Sequence, residues 1–225
     1  ALARNPEALE ALAARLGPRC KPLAADARDH ALIAEKLEGI EIDVLVNNAG
    51  GIATVRPLHE QTPEETADTV ALNLTAPLQL IQHVLPGMIA RRRGHIFNLT
   101  STAASAVFPG TTAYGAAKAA VLNLVGSLAV EWAPKVRVVA VSPGLVRTEQ
   151  SHLHFGDGDG LAAVAQTIPA GRLAEPEDIA QACLYVASPR ASYMSGTNLL
   201  LHGGGERPAF LGASNAEPGA GHVAA

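Results

Sequence analysis

Cysteine is almost missing. Cys20 and Cys183 are the only two among 225 residues, and they stand far apart with no metal-ligand spacing. A disulfide framework and a cysteine-built zinc site are thereby excluded, and two free thiols in the cytoplasm are expected. Aromatic residues make up only 4% of the chain. No run of about 18 apolar residues appears, so no membrane span is predicted, and no signal peptide is seen. The formal net charge of −4 gives no general attraction to nucleic acid or to anionic membrane. The one basic run, Arg91-Arg92-Arg93, reads as a solvated helix C-terminus complementing the helix dipole. The first residue is Ala rather than Met, and the opening looks like the interior of a protein, so a truncated chain is expected.

What is present is Ala, Leu, Val and Gly, with 48% hydrophobic residues overall. Such a composition suits an α/β protein with Ala-rich helices and Val/Leu-rich buried strands. Residues 1–3 read as the tail of a strand. Asn5 and Pro6 open a helix over 6–16, as N-cap and first helical residue. A strand is predicted over 21–25, a helix over 29–37 and a buried strand over 43–46 that runs into Asn47-Asn48-Ala49-Gly50. Helical spacing covers 63–92 in two pieces that meet near Leu72 and Asn73. A strand over 95–99, a long helix over 113–132 and a strand over 136–141 follow. Residues 152–160, rich in Gly, Asp and His, read as a mobile loop. A helix over 177–187 and a strand over 197–201 complete the pattern. Strands alternate with crossovers too long for hairpins, which predicts a Rossmann-like, doubly wound parallel sheet in a three-layer α/β/α domain. That domain is expected over residues 1–205, with a flexible extension over 206–225.

The chemistry centres on Tyr114 and Lys118. Residues four apart share a helix face, and an ammonium beside a phenol favours the phenolate, making it a proton donor or acceptor near working pH. Alone the pair is a weak signal. Ser101, however, lies just beyond the strand over 95–99, and Asn47–Gly50 and Pro143-Gly144 also sit at strand C-termini. In an open α/β sheet that edge is where ligands bind. Thr100 and Ser105 compete with Ser101 as the hydroxyl. Asn47 reads as structural, bridging neighbouring strands. His152 and His154 have no third ligand, and no metal site is predicted.

These residues, in this order and spacing, resemble the classical short-chain dehydrogenase/reductase family over residues 1 to about 205. The resemblance implies a carbonyl/secondary-alcohol oxidoreductase using NADP or NAD, with 3-oxoacyl thioester reduction as one candidate activity on a small-molecule substrate. It implies that Tyr114 is the acid/base, that Lys118 holds the nicotinamide ribose, that Ser101 binds the substrate oxygen and that Asn73 kinks its helix and holds a relay water. It further implies cofactor contacts from Asp26, Asn48, Ala49, Gly50, Pro143, Gly144, Val146 and Thr148. A homotetramer or homodimer packed through the helices over 63–92 and 113–132 and the last strand is expected. His202 departs from the Asp that the family often carries there.

The family's glycine-rich turn after its first strand, which cradles the pyrophosphate on backbone N–H groups, has no counterpart before Ala1. The expectation is that the first strand and helix are absent and that this chain is unstable or cofactor-free, while its parent is active. Arg4, beyond the strand at 1–3, can pair with a 2′-phosphate, which favours NADP over NAD. The competing reading is a non-catalytic scaffold that kept the fold. The intact Ser101, Tyr114 and Lys118 argue against it. A nucleotide-sugar epimerase is disfavoured by the short region after Pro143.

Overall fold

Side chains that alternate along a strand can be buried on both faces only if helices cover both, and β4 and β5 show this directly. In the computed structural model, which describes residues 1–149 and 151–205, β4 is His95–Leu99 and β5 is Arg137–Pro143. Ile96, Val138 and Ala140 turn to one face, and Phe97 and Val139 to the other. The first face packs beneath α4 (Ala76–Arg91) and α5 (Thr112–Trp132) through Ile81, Val84, Leu85, Met88, Val125 and Ala129. The second packs on Val186 of α8 (Pro176–Ala187). The extension expected over 206–225 lies outside the described residues.

Two compact units are present among the described residues, one of 1–143 with 177–201, the other of 144–176 with 202–205. The first holds every strand found among the described residues. β3 (Val44–Asn47), β4, β5 and β6 (Asn198–Leu201) form a four-stranded parallel sheet in that order. β1 (Leu2–Ala3) and β2 (Leu23–Ala24) form a separate parallel pair. Among the described residues β3 pairs with β4 alone, and Val44 and Val46 are 40% and 45% exposed.

Local chemistry sets the helix ends. Asn5 caps α1 (Pro6–Leu16) by accepting from the Ala8 N–H at 3.0 Å. Asp29 caps α2 (His30–Leu37) through the Leu32 N–H. A reciprocal Thr62/Glu65 capping box opens α3 (Pro63–Val70). Between α3 and α4, Ala71–Thr75 is one π turn, which is the kink expected near Leu72 and Asn73. Arg92 closes α4 in the left-handed conformation, φ 53°. Nη2 of Arg91 donates to the Ile42 carbonyl at 2.8 Å, so the basic run ties α4 to the start of β3.

The second unit corrects one expectation. Residues 152–160 are not a loop: α6 (Ser151–Phe155) and α7 (Gly158–Thr167) occupy the region. The Asp157 side chain accepts from the N–H groups of Asp159 and Gly160 and so starts α7, a cap hidden among glycines. Within this unit Val146 bridges Ala174, and Thr148 N–H donates to Ser151 Oγ at 2.7 Å.

Candidate active site

The first unit gathers Gly50, Asn73, Ser101, Tyr114 and Lys118 beyond the C-termini of β3 and β4. β4 ends at Leu99, and Thr100 prolongs its pairing with β5 by donating its N–H to the Val141 carbonyl at 2.8 Å. Ser101 then leaves the sheet in extended conformation, and its Oγ accepts from the Ala103 N–H at 3.1 Å. The returning chain enters α5, with Tyr114 in its first turn. Gly115 lets the 102–104 turn lie against that helix, since a Cβ there would sit 2.9 Å from the Ala103 carbonyl oxygen.

The three candidate hydroxyls differ in their partners. Thr100 is buried and bonded to Ser142, whose Oγ donates to Asn198 Oδ1 at 2.7 Å, a polar chain across β4, β5 and β6. Ser105 is exposed and reaches only the Thr102 carbonyl. Ser101 is the hydroxyl whose influence opposes the rise of the Tyr114 pKa.

Lys118 is 4% exposed, and its Nζ donates to the Leu99 carbonyl at 2.9 Å. Burial lowers its pKa from 10.5 to about 8. Nζ lies 5.7 Å from the centroid of the Tyr114 ring. Here the electrostatics differ from the sequence expectation of a phenol made acidic by its lysine. Burial pushes the Tyr114 pKa up, and the opposing influence is the Ser101 hydroxyl. The reason is desolvation: burial, the larger influence, disfavours the charged phenolate.

Asn73 is fully buried in the π turn. Its Oδ1 accepts from the Gly51 N–H at 3.0 Å, and its Nδ2 donates to the Gly51 and Thr69 carbonyls at 2.9 Å each. This clamp holds the segment after Asn48 and Ala49 against Lys118. A Cβ on Gly50 would stand 2.9 Å from Asn73 Oδ1 and 3.0 Å from Lys118 Nζ, so glycine is required by close approach. Asn47 is structural as expected, its Nδ2 donating to Asn98 Oδ1 at 2.9 Å.

The remaining sequence candidates fall elsewhere. Arg4 and Asp26 stand past the C-termini of β1 and β2. Pro143 ends β5, whereas Gly144, Val146 and Thr148 belong to the second unit. One charged residue escaped the sequence reading. Arg28 grips Asp26 with its Nε at 3.0 Å and Nη2 at 2.8 Å, and holds its carboxyl down at about 2. The Asp-x-Arg spacing was the available signal.

Comparison with known proteins gives one consistent result. A family model described as Enoyl-(Acyl carrier protein) reductase matches residues 2–206. The chain is 37% identical over 208 residues to the 3-oxoacyl-[acyl-carrier-protein] reductase FabG of Haemophilus influenzae, covering 90% of this chain and 85% of that one. Among solved structures, an oxidoreductase of the short chain dehydrogenase/reductase family from Burkholderia thailandensis superposes with a TM-score of 0.87 at 32% identity, over 96% of this chain and 87% of that one. A gluconate 5-dehydrogenase from Burkholderia cenocepacia, solved with NADP and tartrate, has a TM-score of 0.81 at 27% identity, over 90% of this chain and 83% of that one. A 3-oxoacyl-[acyl-carrier protein] reductase from Brucella melitensis with bound NAD has a TM-score of 0.80 at the same 27%, over 90% of this chain and 79% of that one.

Proposed function

The chain belongs to the short-chain dehydrogenase/reductase family, enzymes that act on CH–OH groups with NAD(P), and from that premise we propose that Tyr114, Ser101, Lys118 and Asn73 carry its chemistry. The nicotinamide, when bound, supplies or accepts the hydride. The chain's own residues handle the oxygen and its proton. In reduction the Tyr114 hydroxyl donates its proton to the carbonyl oxygen, and in oxidation the phenolate takes it back from the alcohol. Ser101 donates a hydrogen bond to the same oxygen and so fixes which carbonyl is presented. Lys118 has three N–H donors and spends one on Leu99, which leaves two for the hydroxyls of the nicotinamide ribose. Close approach of a ribose is supported by the missing side chain at Gly50, whose Cβ position lies 3.0 Å from Nζ. Asn73 sets the position of that glycine segment, and its helix turn is where a water would pass protons between Lys118 and solvent.

A single observation carries this reading: a buried lysine with no carboxylate paired to it among the described residues, on one helix face with a half-buried tyrosine whose phenol is influenced by the Ser101 hydroxyl. Such an arrangement is costly for stability and useful for proton transfer. We assign a 3-oxoacyl thioester as substrate class, and NADPH as the preferred cofactor through Arg4. Asp26, Asn48 and Ala49 would line the adenosine, with Pro143, Gly144, Val146 and Thr148 at the carboxamide end. The working form would be a homotetramer or homodimer joined through α4, α5 and β6, where Val130 and Leu200 are 83% and 42% exposed. The test is a panel of 3-oxoacyl thioesters, ketones and polyols with NADPH and NADH, followed by nicotinamide absorbance. The Tyr114→Phe variant should lose about a thousandfold in kcat. Retained turnover in that variant would overturn the assignment.

A further inference from the structure

A second charged cluster stands where β1 and β2 end. The Ala25 N–H donates to the Ala3 carbonyl at 3.0 Å, so Arg4 and Asp26 leave adjacent parallel strands one and two residues past their paired ends. Both oxygens of the Asp26 carboxylate are engaged by Arg28. Its Oδ1 accepts from the Arg28 backbone N–H at 2.9 Å and from Nε at 3.0 Å, and its Oδ2 from Nη2 at 2.8 Å. The other terminal nitrogen, Nη1, reaches Asp68 of α3 at 3.4 Å. This bidentate fork is the strong form of a guanidinium–carboxylate pair. Arg28 holds the Asp26 carboxyl at about 2, with the positive charge of Arg4 contributing, so Asp26 is ionised at any working pH.

An ionised carboxylate one strand away from Arg4 would repel the phosphate dianion that Arg4 is assigned to recruit. Only a cation bound to it removes that repulsion. We infer that Arg28 is a specificity-determining residue: by cancelling the charge of Asp26 it frees Arg4 to recognise a 2′-phosphate, and so tilts selection from NADH toward NADPH. This inference rests on the assignment of the 2′-phosphate to Arg4 made above.

Charge and shape can be separated here. Asn at position 26 keeps the side-chain oxygen that accepts from the Arg28 N–H and preserves the turn into α2. Gln at position 28 keeps a long polar side chain without charge. Dissociation constants for NADPH and NADH are measured by fluorescence titration on the full-length protein at low salt. The NADPH-to-NADH preference falls about fivefold in Arg28→Gln, rises in Asp26→Asn and returns near its starting value in the double variant. The shifts shrink at high salt, as exposed charges are screened. A preference unmoved by Arg28→Gln would overturn the inference. So would single variants that shift it in the same direction, the mark of a merely structural turn. Failure of the underlying assignment reads differently: Arg4→Ala would leave the parental preference intact. A parent that binds neither dinucleotide, or both equally, overturns the inference as well.

Discussion

Replacing Lys118 with Met should make the protein more stable and nearly inactive. Lys118 is 4% exposed, and burial brings its pKa from 10.5 down to about 8. At about 1.4 kcal/mol per pH unit, that fall corresponds to about 3 kcal/mol of cost for carrying the charge inside. Met fills similar volume without the charge, but it leaves the Leu99 carbonyl without its donor, which costs about 1–2 kcal/mol. The net gain at pH 7 is about 1–2 kcal/mol. Its pH dependence is the decisive feature. A lysine whose folded pKa is depressed sheds its proton in the folded state first. Between pH 8 and 10.5 the unfolded chain therefore binds more protons, and the parent gains stability as pH rises. Denaturant unfolding of parent and variant should show the gap at pH 7 closing through that window, while kcat falls at least a hundredfold. A gap independent of pH, or a variant less stable at pH 7, would refute the burial argument.

Other substitutions follow from single contacts. Gly50→Ala pushes a methyl to within 3.0 Å of Lys118 Nζ; kcat should drop at least about tenfold with a small change in melting temperature, checked by kinetics beside calorimetry. Gly94→Ala places a Cβ 2.5 Å from the Sδ of fully buried Met88, and denaturant titration should show a loss of about 1–3 kcal/mol. Arg137→Met strips the Val186, Ala191 and Met194 carbonyls of their guanidinium donors; about 2–4 kcal/mol should be lost by the same measurement. Asn47→Ala leaves the buried Asn98 Oδ1 without a donor and should cost about 1–3 kcal/mol.

The sequence was readable where the determinants are local. Asn5 and Pro6 announce α1 because a cap and a fixed φ act within one turn. The Val-rich run of β5 announces a strand because both its faces are buried, whereas β3 is legible from its Val/Leu run although only Leu45 and Asn47 of it are buried. Tyr114, Lys118 and Ser101 announce the candidate site because helix periodicity and strand ends place them. The rest depends on neighbours distant in the chain. The Thr100 hydroxyl is taken by Ser142 on β5, which in turn donates to Asn198 on β6, a chain that no local pattern announces. The Tyr114 phenol is raised rather than lowered because burial outweighs its neighbours. α7 was hidden because Gly158 and Gly160 read as loop until Asp157 is seen to cap them. Arg28 was passed over because its worth lies in the charge it cancels.

The outer border of the four-stranded sheet has a consequence for handling the protein. Among the described residues β3 carries a strand on one side only, and Val44 and Val46 are wetted. Such a border is half of a zipper, and the backbone of a second molecule is the most available other half. Concentrated samples should therefore thicken with time through growth of intermolecular ladders, a process that excess salt would speed and that a lysine introduced at Val46 would halt.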